Sequence, residues 1–152
     1  MKTEFLQMIK TRRSCRKYKA EQITDEELKA VLEAGTYAPT SRGMQAPYIV
    51  AVQNEAQRRQ LAEMNARVMG VTSNPYYDAP TYVLVAAHAL GLGSCWIHRE
   101  REMFATPEGK ELMKSWGLPD GLIGIGALAL GYPEGEPAQP KPRKPDYYRI
   151  IK

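Results

Sequence analysis

The chain has 152 residues, 43% of them hydrophobic and 25% charged, and a formal net charge of +4. This balance is typical of one globular domain and excludes a chain kept disordered by self-repulsion. Cys15 and Cys95 lie far apart without CxxC spacing, which argues against a disulfide framework or a zinc ribbon. No apolar run reaches the roughly 18 residues of a membrane span, and the N-terminus lacks the apolar core of a secretory signal. We therefore expect a single cytoplasmic domain over 1–152 with no metal site and no membrane partner.

The predicted helices share a polar capping residue or an apolar face at helical spacing. The clearest signal is Thr24 with Glu27, a capping box that predicts a helix over Asp25–Ala34, stopping near Gly35. The other predicted helices are Thr3–Lys10, one capped by Asn54 and closed by Gly70, and one started by Thr106 and Pro107 and ended by Gly117.

Strands are predicted where apolar or β-branched residues run between turn residues. Tyr48–Val52 is predicted to be a buried strand. Leu122–Leu130 is apolar on both faces, which is typical of a central strand, and Gly124 and Gly126 within it indicate close approach of another backbone. The polar stretch 39–47 between these elements is predicted to be a loop.

Two further segments have unusual patterns. Thr81–Val85 resembles a strand, yet Ala86–Leu90 resembles the last turns of a helix, and no connecting residues separate the two. From Pro133 onward, five prolines in twenty residues exclude a packed helix, so an extended tail is expected.

Two basic clusters are candidates for binding an anion. The first lies within Lys10–Lys19, which contains six basic residues and no acidic one; the second is Lys141 with Arg143 in the tail. Arginine offers bidentate donors to phosphate, and a serine hydroxyl adds another. A solvated charged surface is the alternative for both clusters, and nucleic-acid binding would need aromatic stacking residues, of which only Tyr18 is near. The first cluster's candidate donors are Arg12, Arg13, Ser14 and Arg16.

A polar loop at 38–47 and a glycine-rich stretch at 91–97 accompany these clusters. Each one alone has an ordinary structural interpretation. Cys95 and His98 have no reactive partner at a recognisable spacing, so a structural role is favoured for both. Together, the clusters, the loop and the strand suit one flat, polar ligand that carries a phosphate.

The order of several short motifs is similar to that of the nitroreductase family of flavoproteins. The residues that carry this resemblance are Arg12-Arg13-Ser14 with Arg16, Lys17 and Tyr18 (RRSxRxF/Y), Ala38–Ser41 (APSS), Gln45 with Pro47 (QPW), Gly91–Ser94 (GLGS) and Gly131–Pro133 (GYP). Any one of these motifs is weak, but their combination and order over nearly the whole chain are specific.

The resemblance implies an α+β sandwich in which helices flank a mixed, mainly antiparallel sheet of four or five strands, with an extended C-terminal arm. It also implies a homodimer with FMN at the subunit interface and NAD(P)H as reductant. The expected activity is ping-pong hydride transfer through the flavin to a nitroaromatic, quinone or similar small-molecule electron acceptor. The alternatives are another flavin reaction, such as dehalogenation or flavin breakdown, and a basic polyanion-binding module, which only the isoelectric point near 9.1 supports.

The resemblance also assigns roles to individual residues. Arg12, Arg13 and Ser14 would hold the FMN phosphate and ribityl chain, and Arg16 would lie near the pyrimidine edge of the ring. No side chain is expected to be catalytic, since the flavin carries the chemistry. The remaining expected contacts are Pro39, Thr40, Ser41 and Gln45 from the partner subunit, the backbone of Cys95, Trp96 and Ile97 near flavin N5, and Lys141 with Arg143 at the phosphate.

The chain departs from the family pattern at two places. Gly43 stands where many members have asparagine, and Ala46 separates Gln45 from Pro47. Roughly twenty residues, several helical turns, are also missing near 81–87, where relatives begin a long helix. Either the chain is truly shortened or its sequence omits a segment. We favour omission, because losing turns of a core helix would cost many kcal/mol against a total stability of about 5–15 kcal/mol.

Overall fold

The structure is a computed structural model that describes residues 2–72, 81–82, 90–136, 139, 141–145 and 147–151. Within these ranges, no helix is long and apolar enough to cross a membrane. The elements in chain order are α1 (Lys2–Thr11), α2 (Asp25–Thr36), a 3-10 turn (Ser41–Gly43), α3 (Glu55–Met69), β1 (Thr81–Tyr82), β2 (Gly93–Ile97), α4 (Glu100–Ala105), α5 (Pro107–Ser115) and β3 (Ala127–Gly131).

The capping box of α2 is confirmed. The Glu27 amide donates to Thr24 Oγ1 (3.2 Å), and the Thr24 amide donates to Glu27 Oε2 (2.9 Å). The hydroxyl of Tyr132 also donates to Glu27 Oε2 (2.6 Å), so the start of α2 is bound to the end of β3. The helix continues through Gly35 to Thr36, so its predicted end was too early.

The caps of α3 and α5 are also confirmed. Asn54 accepts a hydrogen bond from the Gln57 amide (3.0 Å), and Gly70 ends α3 with φ of +67°. Thr106 accepts from the Gly109 amide (3.1 Å) with Pro107 in the first turn of α5. Sequence analysis missed α4, because six residues are too few for a helical period to be recognised.

The described strands form an antiparallel sheet in the order β1-β3-β2. The central position of β3 is confirmed, since its residues are almost all buried. The predicted start of this strand at Leu122 was wrong, because the segment 122–126 packs against the start of α4 instead of extending the ladder. A Cβ on Gly124 would lie 2.3 Å from the Glu100 carbonyl oxygen, so the predicted close backbone contact is confirmed there. At Gly126 the close neighbour is the Trp96 ring.

The strand predicted at Tyr48–Val52 is absent from the described sheet, where Val52 is only an isolated bridge residue. Tyr48 is 58% exposed, whereas Val52 is buried in the core. Apolar composition alone therefore misled, because a strand also needs consecutive pairing with a neighbour. In the stretch where a predicted strand meets a predicted helix end without connecting residues, only Thr81–Tyr82 is described, as β1. Residues 83–89, which include His88 and most of that predicted helix end, lie outside the described residues.

Helices cover both faces of the sheet. Side chains of consecutive strand residues point to opposite faces, and Ala129 and Leu130 of β3 belong to different hydrophobic clusters. Ala129 packs with residues of α3, α4 and α5, whereas Leu130 packs with residues of α2. The fold is thus an α+β sandwich, as expected. A single parallel bridge between Ser14 and Ser94 makes the pairing mixed.

Candidate functional site

The basic cluster at the N-terminus is bound to the sheet along its length. The Cys15 amide donates to the Ser94 carbonyl (2.8 Å) at the start of β2. Further on, the Lys19 amide donates to the Tyr132 carbonyl (3.0 Å), next to the end of β3. The segment 14–19 therefore runs from one strand to the other, and it carries the predicted anion-binding residues to the edge of β2.

Gly93 allows this close approach. A Cβ at Gly93 would lie 2.7 Å from Cys15 Sγ and 2.8 Å from Cys15 Cβ, closer than real side-chain contacts permit. Glycine is thus required where segment 14–19 crosses β2.

Three of the predicted donors influence the Cys95 thiol. The hydroxyl of Ser14 is hydrogen-bonded to it, and the charges of Arg16 and Arg12 lower its pKa. Burial is nevertheless the largest effect and raises the pKa of Cys95, so this thiol is a neutral core group. The structural interpretation of Cys95 is therefore favoured, and the binding roles of Arg12, Ser14 and Arg16 stay a prediction.

The side chain of Arg13 is hydrogen-bonded to backbone carbonyls. Its Nη1 donates to the carbonyls of Lys10 (2.8 Å) and Arg12 (2.6 Å), at the end of α1 where helix carbonyls lack partners. Its Nε is buried and has no acceptor among the described residues. Arg13 therefore both caps α1 and keeps one buried donor for which an anionic ligand would be a suitable acceptor.

Tyr18 anchors the segment, and its removal should loosen the site. The buried hydroxyl donates to the carbonyl of Cys15 (2.7 Å) and lies 3.3 Å from that of Ala129, and burial raises the tyrosine pKa, so the proton is retained. Tyr18→Phe is expected to cost about 1–3 kcal/mol of unfolding free energy, because it removes the hydroxyl that donates to the Cys15 carbonyl in a largely buried position. Urea denaturation measures this. Tyr37→Phe, at an exposed tyrosine, is the control and should change nothing; equal losses in both variants would contradict the assignment.

Among the described residues, no strand pairs with Cys95–Ile97 on the side of β2 that faces away from β3. The predicted contact of this backbone with a ligand stays a prediction. Cys95 and Ile97 point into the core, whereas Trp96 is 49% exposed and its ring lies against Gly126.

The loop and the tail are not brought to this cluster within one subunit. Thr40 Oγ1 accepts from the Gln45 amide (3.0 Å), and Gln45 has a left-handed φ of +49°. Pro39 and Ser41 are exposed, as are Lys141 and Arg143 in a tail without helix or strand among its described residues. The extended tail is confirmed. The loop was predicted to contact the flavin that binds to the partner subunit, and these contacts remain a prediction.

Glu100 is a buried charged residue that the sequence did not reveal. It is only 5% exposed and lies at the start of α4. Its Oε2 accepts from the Arg99 amide (2.9 Å), and its Oε1 has no partner among the described residues. Burial raises the pKa of the carboxyl. In the sequence this residue lies in the charged run 98–102, which resembles a solvated surface, so no local signal could have identified it.

The raised pKa of Glu100 sets the sign of a stability effect. The unfolded carboxyl ionises at a lower pH than the folded one, so stability falls as pH rises between these two pKa values. Glu100→Gln removes this loss, and its melting temperature at neutral pH should exceed that of the wild type. Thermal unfolding at acidic and neutral pH measures the difference. The exposed neighbour Glu102→Gln is the matched control; a lower melting temperature for Glu100→Gln would contradict the prediction.

The fold and site define an α+β protein with an arginine cluster beside the open edge of its sheet. A model of the nitroreductase family matches residues 9–80. A protein of Archaeoglobus fulgidus described as "Putative NADH dehydrogenase/NAD(P)H nitroreductase" is 30% identical, over 88% of this chain and 87% of that protein. An NADPH-flavin oxidoreductase of Vibrio harveyi is 28% identical, over 92% and 70%.

A solved structure is also similar to this chain over almost its whole length. The nitroreductase with bound FMN from Bacteroides fragilis has a TM-score of 0.86 and 30% identity, with 98% of this chain and 99% of that chain covered. The chain belongs to the nitroreductase family.

Proposed function

We propose that this chain is an FMN-dependent oxidoreductase that takes hydride from NAD(P)H and passes it in a ping-pong reaction to a nitroaromatic, quinone or similar electrophile. The observation that carries the proposal is that the segment containing Arg12, Ser14 and Arg16 is joined to the start of β2, through the Ser14–Ser94 bridge and the hydrogen bond from the Cys15 amide to the Ser94 carbonyl (2.8 Å). The names of relatives support it, since the Bacteroides fragilis structure holds FMN and the Vibrio harveyi protein is an NADPH-flavin oxidoreductase.

The residues present fit FMN. A phosphate dianion is bound best by charged donors, and Arg13 Nε is a buried donor without an acceptor. Gly93 keeps the arginine segment close to the strand, which lets a phosphate and a flat ring be held by neighbouring parts of one site.

In the proposed mechanism the bound flavin supplies the hydride chemistry. Arg12 and Arg13 with Ser14 would bind the phosphate and ribityl chain. Arg16 would place its positive charge near the pyrimidine edge, where a cation favours the reduced flavin. The backbone of residues 95–97 would line the ring. No side chain of the chain acts as a nucleophile.

The proposed active unit is a cytoplasmic homodimer with FMN at the subunit interface. Thr40, Ser41 and Gln45 would reach the partner's flavin, and Lys141 with Arg143 would complete the phosphate site. Exposed apolar side chains support an assembly of this kind: Phe5 on α1 is 60% exposed, and Ile151 in the arm is 95% exposed.

We also propose that residues 1–152 are one domain that lacks a segment near 81–87. The alignment with the Archaeoglobus fulgidus protein spans 158 positions, more than the 152 residues of this chain, so that relative has residues without a counterpart here. The family match ends at residue 80, just before the stretch 81–90 in which a predicted strand meets a predicted helix end without connecting residues. An intact mass equal to that of the printed sequence would mean a true deletion, whereas a larger mass would mean an omitted segment.

The first experiment is a visible absorption spectrum of the purified protein, before and after NADPH is added without oxygen. Flavin bands that bleach, followed by NADPH oxidation when a quinone is added, are the expected result. Bands that persist would favour another flavin reaction. A colourless protein that FMN cannot reconstitute would refute the proposal.

A further inference from the structure

Glu100 is a buried carboxyl beside the proposed flavin site that the mechanism above does not use. Its side chain is 95% removed from solvent, and only one of its two oxygens has a hydrogen-bond donor among the described residues. An ionised carboxylate buried with one oxygen unpaired is costly, so the pKa of such a group lies above its ordinary value, and a further negative charge nearby would raise it again.

Packing fixes Glu100 close to the strand expected to line the ring. The segment 122–126 touches both places, since Gly124 lies against the Glu100 backbone and Gly126 lies against the Trp96 ring. Glu100 also follows the last residue of β2, Ile97, by three residues, a separation of at most about 11 Å between Cα atoms. If the ring lies against β2 as proposed, a charge on it would act on a carboxylate that is itself buried in protein.

Few charges act on this carboxyl. His98 favours its ionised form and Glu102 opposes it, while the Arg99 amide supplies its one backbone donor from another residue. The packed segment 122–126 contains only leucine, isoleucine and glycine. On α3, the buried amide of Asn65 donates to Met103 Sδ (3.5 Å). Burial has a larger effect on the Glu100 carboxyl than the charge of His98, which favours the ionised form.

We propose that Glu100 takes up a proton when the flavin is reduced, and so links flavin reduction to the pH of the solution. The inference rests on the proposed function. NAD(P)H gives the flavin a hydride, which is two electrons and one proton, and a second proton passes from solvent to Glu100 Oε1. When the acceptor takes the hydride, Glu100 returns its proton to solvent or to the reduced product. Reduction makes the ring negative, and protonation of Glu100 removes the repulsion between two like charges.

The test is the midpoint potential of the FMN-loaded protein from about pH 5 to about pH 9, a range in which a buried carboxyl with a raised pKa titrates. Each proton linked to a two-electron reduction shifts the potential by about 30 mV per pH unit, the equivalent of a tenfold change. We expect the wild type to show one additional proton over part of this range, and Glu100→Gln to lack it. Glu102→Gln, two residues away and exposed, removes a charge that raises the pKa of Glu100, so it should keep the additional proton and only move the pH range in which it appears to lower pH.

Protons taken up by the flavin itself contribute equally to the slope of potential against pH in all three proteins. The difference in slope between the wild type and Glu100→Gln therefore reports on Glu100. Equal slopes in the wild type and Glu100→Gln would overturn the inference. An infrared difference spectrum of the wild type needs no variant: reduction should add a protonated-carboxyl band, and its absence would also overturn the inference. A chain that takes up no FMN would refute the proposed function, whereas FMN uptake with equal slopes would refute only the role of Glu100.

Discussion

Arg12→Ala is expected to raise the Kd for FMN roughly ten- to a hundredfold, the loss that follows when one hydrogen bond to a charged group is removed. The physical reason is that Arg12 lies beside β2, where its charge reaches Cys95, and is assigned to the phosphate. Quenching of flavin fluorescence during titration of the apoprotein measures the Kd.

Lys19→Ala is the matched control for Arg12→Ala, because Lys19 belongs to the same basic segment but was not assigned to the flavin. Its attachment to Tyr132 uses the backbone amide, which the substitution keeps. If the two variants lose affinity equally, the phosphate is attracted by net charge alone and the assignment of Arg12 is wrong.

Gly93→Ala is expected to destabilise the fold by about 1–3 kcal/mol, the usual cost of overpacking, and to abolish tight FMN binding together with it. The new methyl group would collide with Cys15, so segment 14–19 must move away from β2, which displaces its Ser14 and Arg16 and disturbs Arg12 just before it. Urea denaturation and the FMN titration measure the two effects.

A compensating change tests whether this collision is the cause. Cys15→Gly removes the Sγ and Cβ atoms that the new methyl group meets, so the double variant should regain part of the stability and of the FMN affinity that Gly93→Ala loses. A double-mutant cycle gives the coupling energy between the two positions. Purely additive losses would contradict the proposed contact.

The helices were predictable because their signals are local. Thr24 with Glu27, and Thr106 with Pro107, each place a cap within one turn of the helix that it starts. The end of α2 was less predictable, since the sequence does not show how much helix the packing of Val31 and its neighbours can support beyond Gly35.

The strands were harder to predict because pairing joins residues that are distant in sequence. Tyr48–Val52 has the composition of a strand, yet it pairs with no described strand. The segment 122–126 continues the apolar run of β3, yet it packs on α4, which was itself too short to be recognised.

In the site, too, features with a signal in the sequence could be predicted, whereas features that depend on tertiary contacts could not. The motif order, through a family resemblance, assigned Arg12, Ser14, Arg16 and the strand at Cys95 to one site, and in the structure Ser14 and Cys15 of this segment contact Ser94 in that strand. The capping of α1 by Arg13 and the burial of Glu100 depend on tertiary contacts, and neither has a signal in the sequence.

The uncovered face of α1 has a thermodynamic consequence. Phe5, Leu6 and Ile9 leave more than half of their surface in water. In the proposed dimer, covering such a face would link folding to association by mass action, so the unfolding midpoint would rise with protein concentration. A melting temperature for this protein would therefore have meaning only with the concentration at which it was measured, and high dilution would weaken the fold before any denaturant is added.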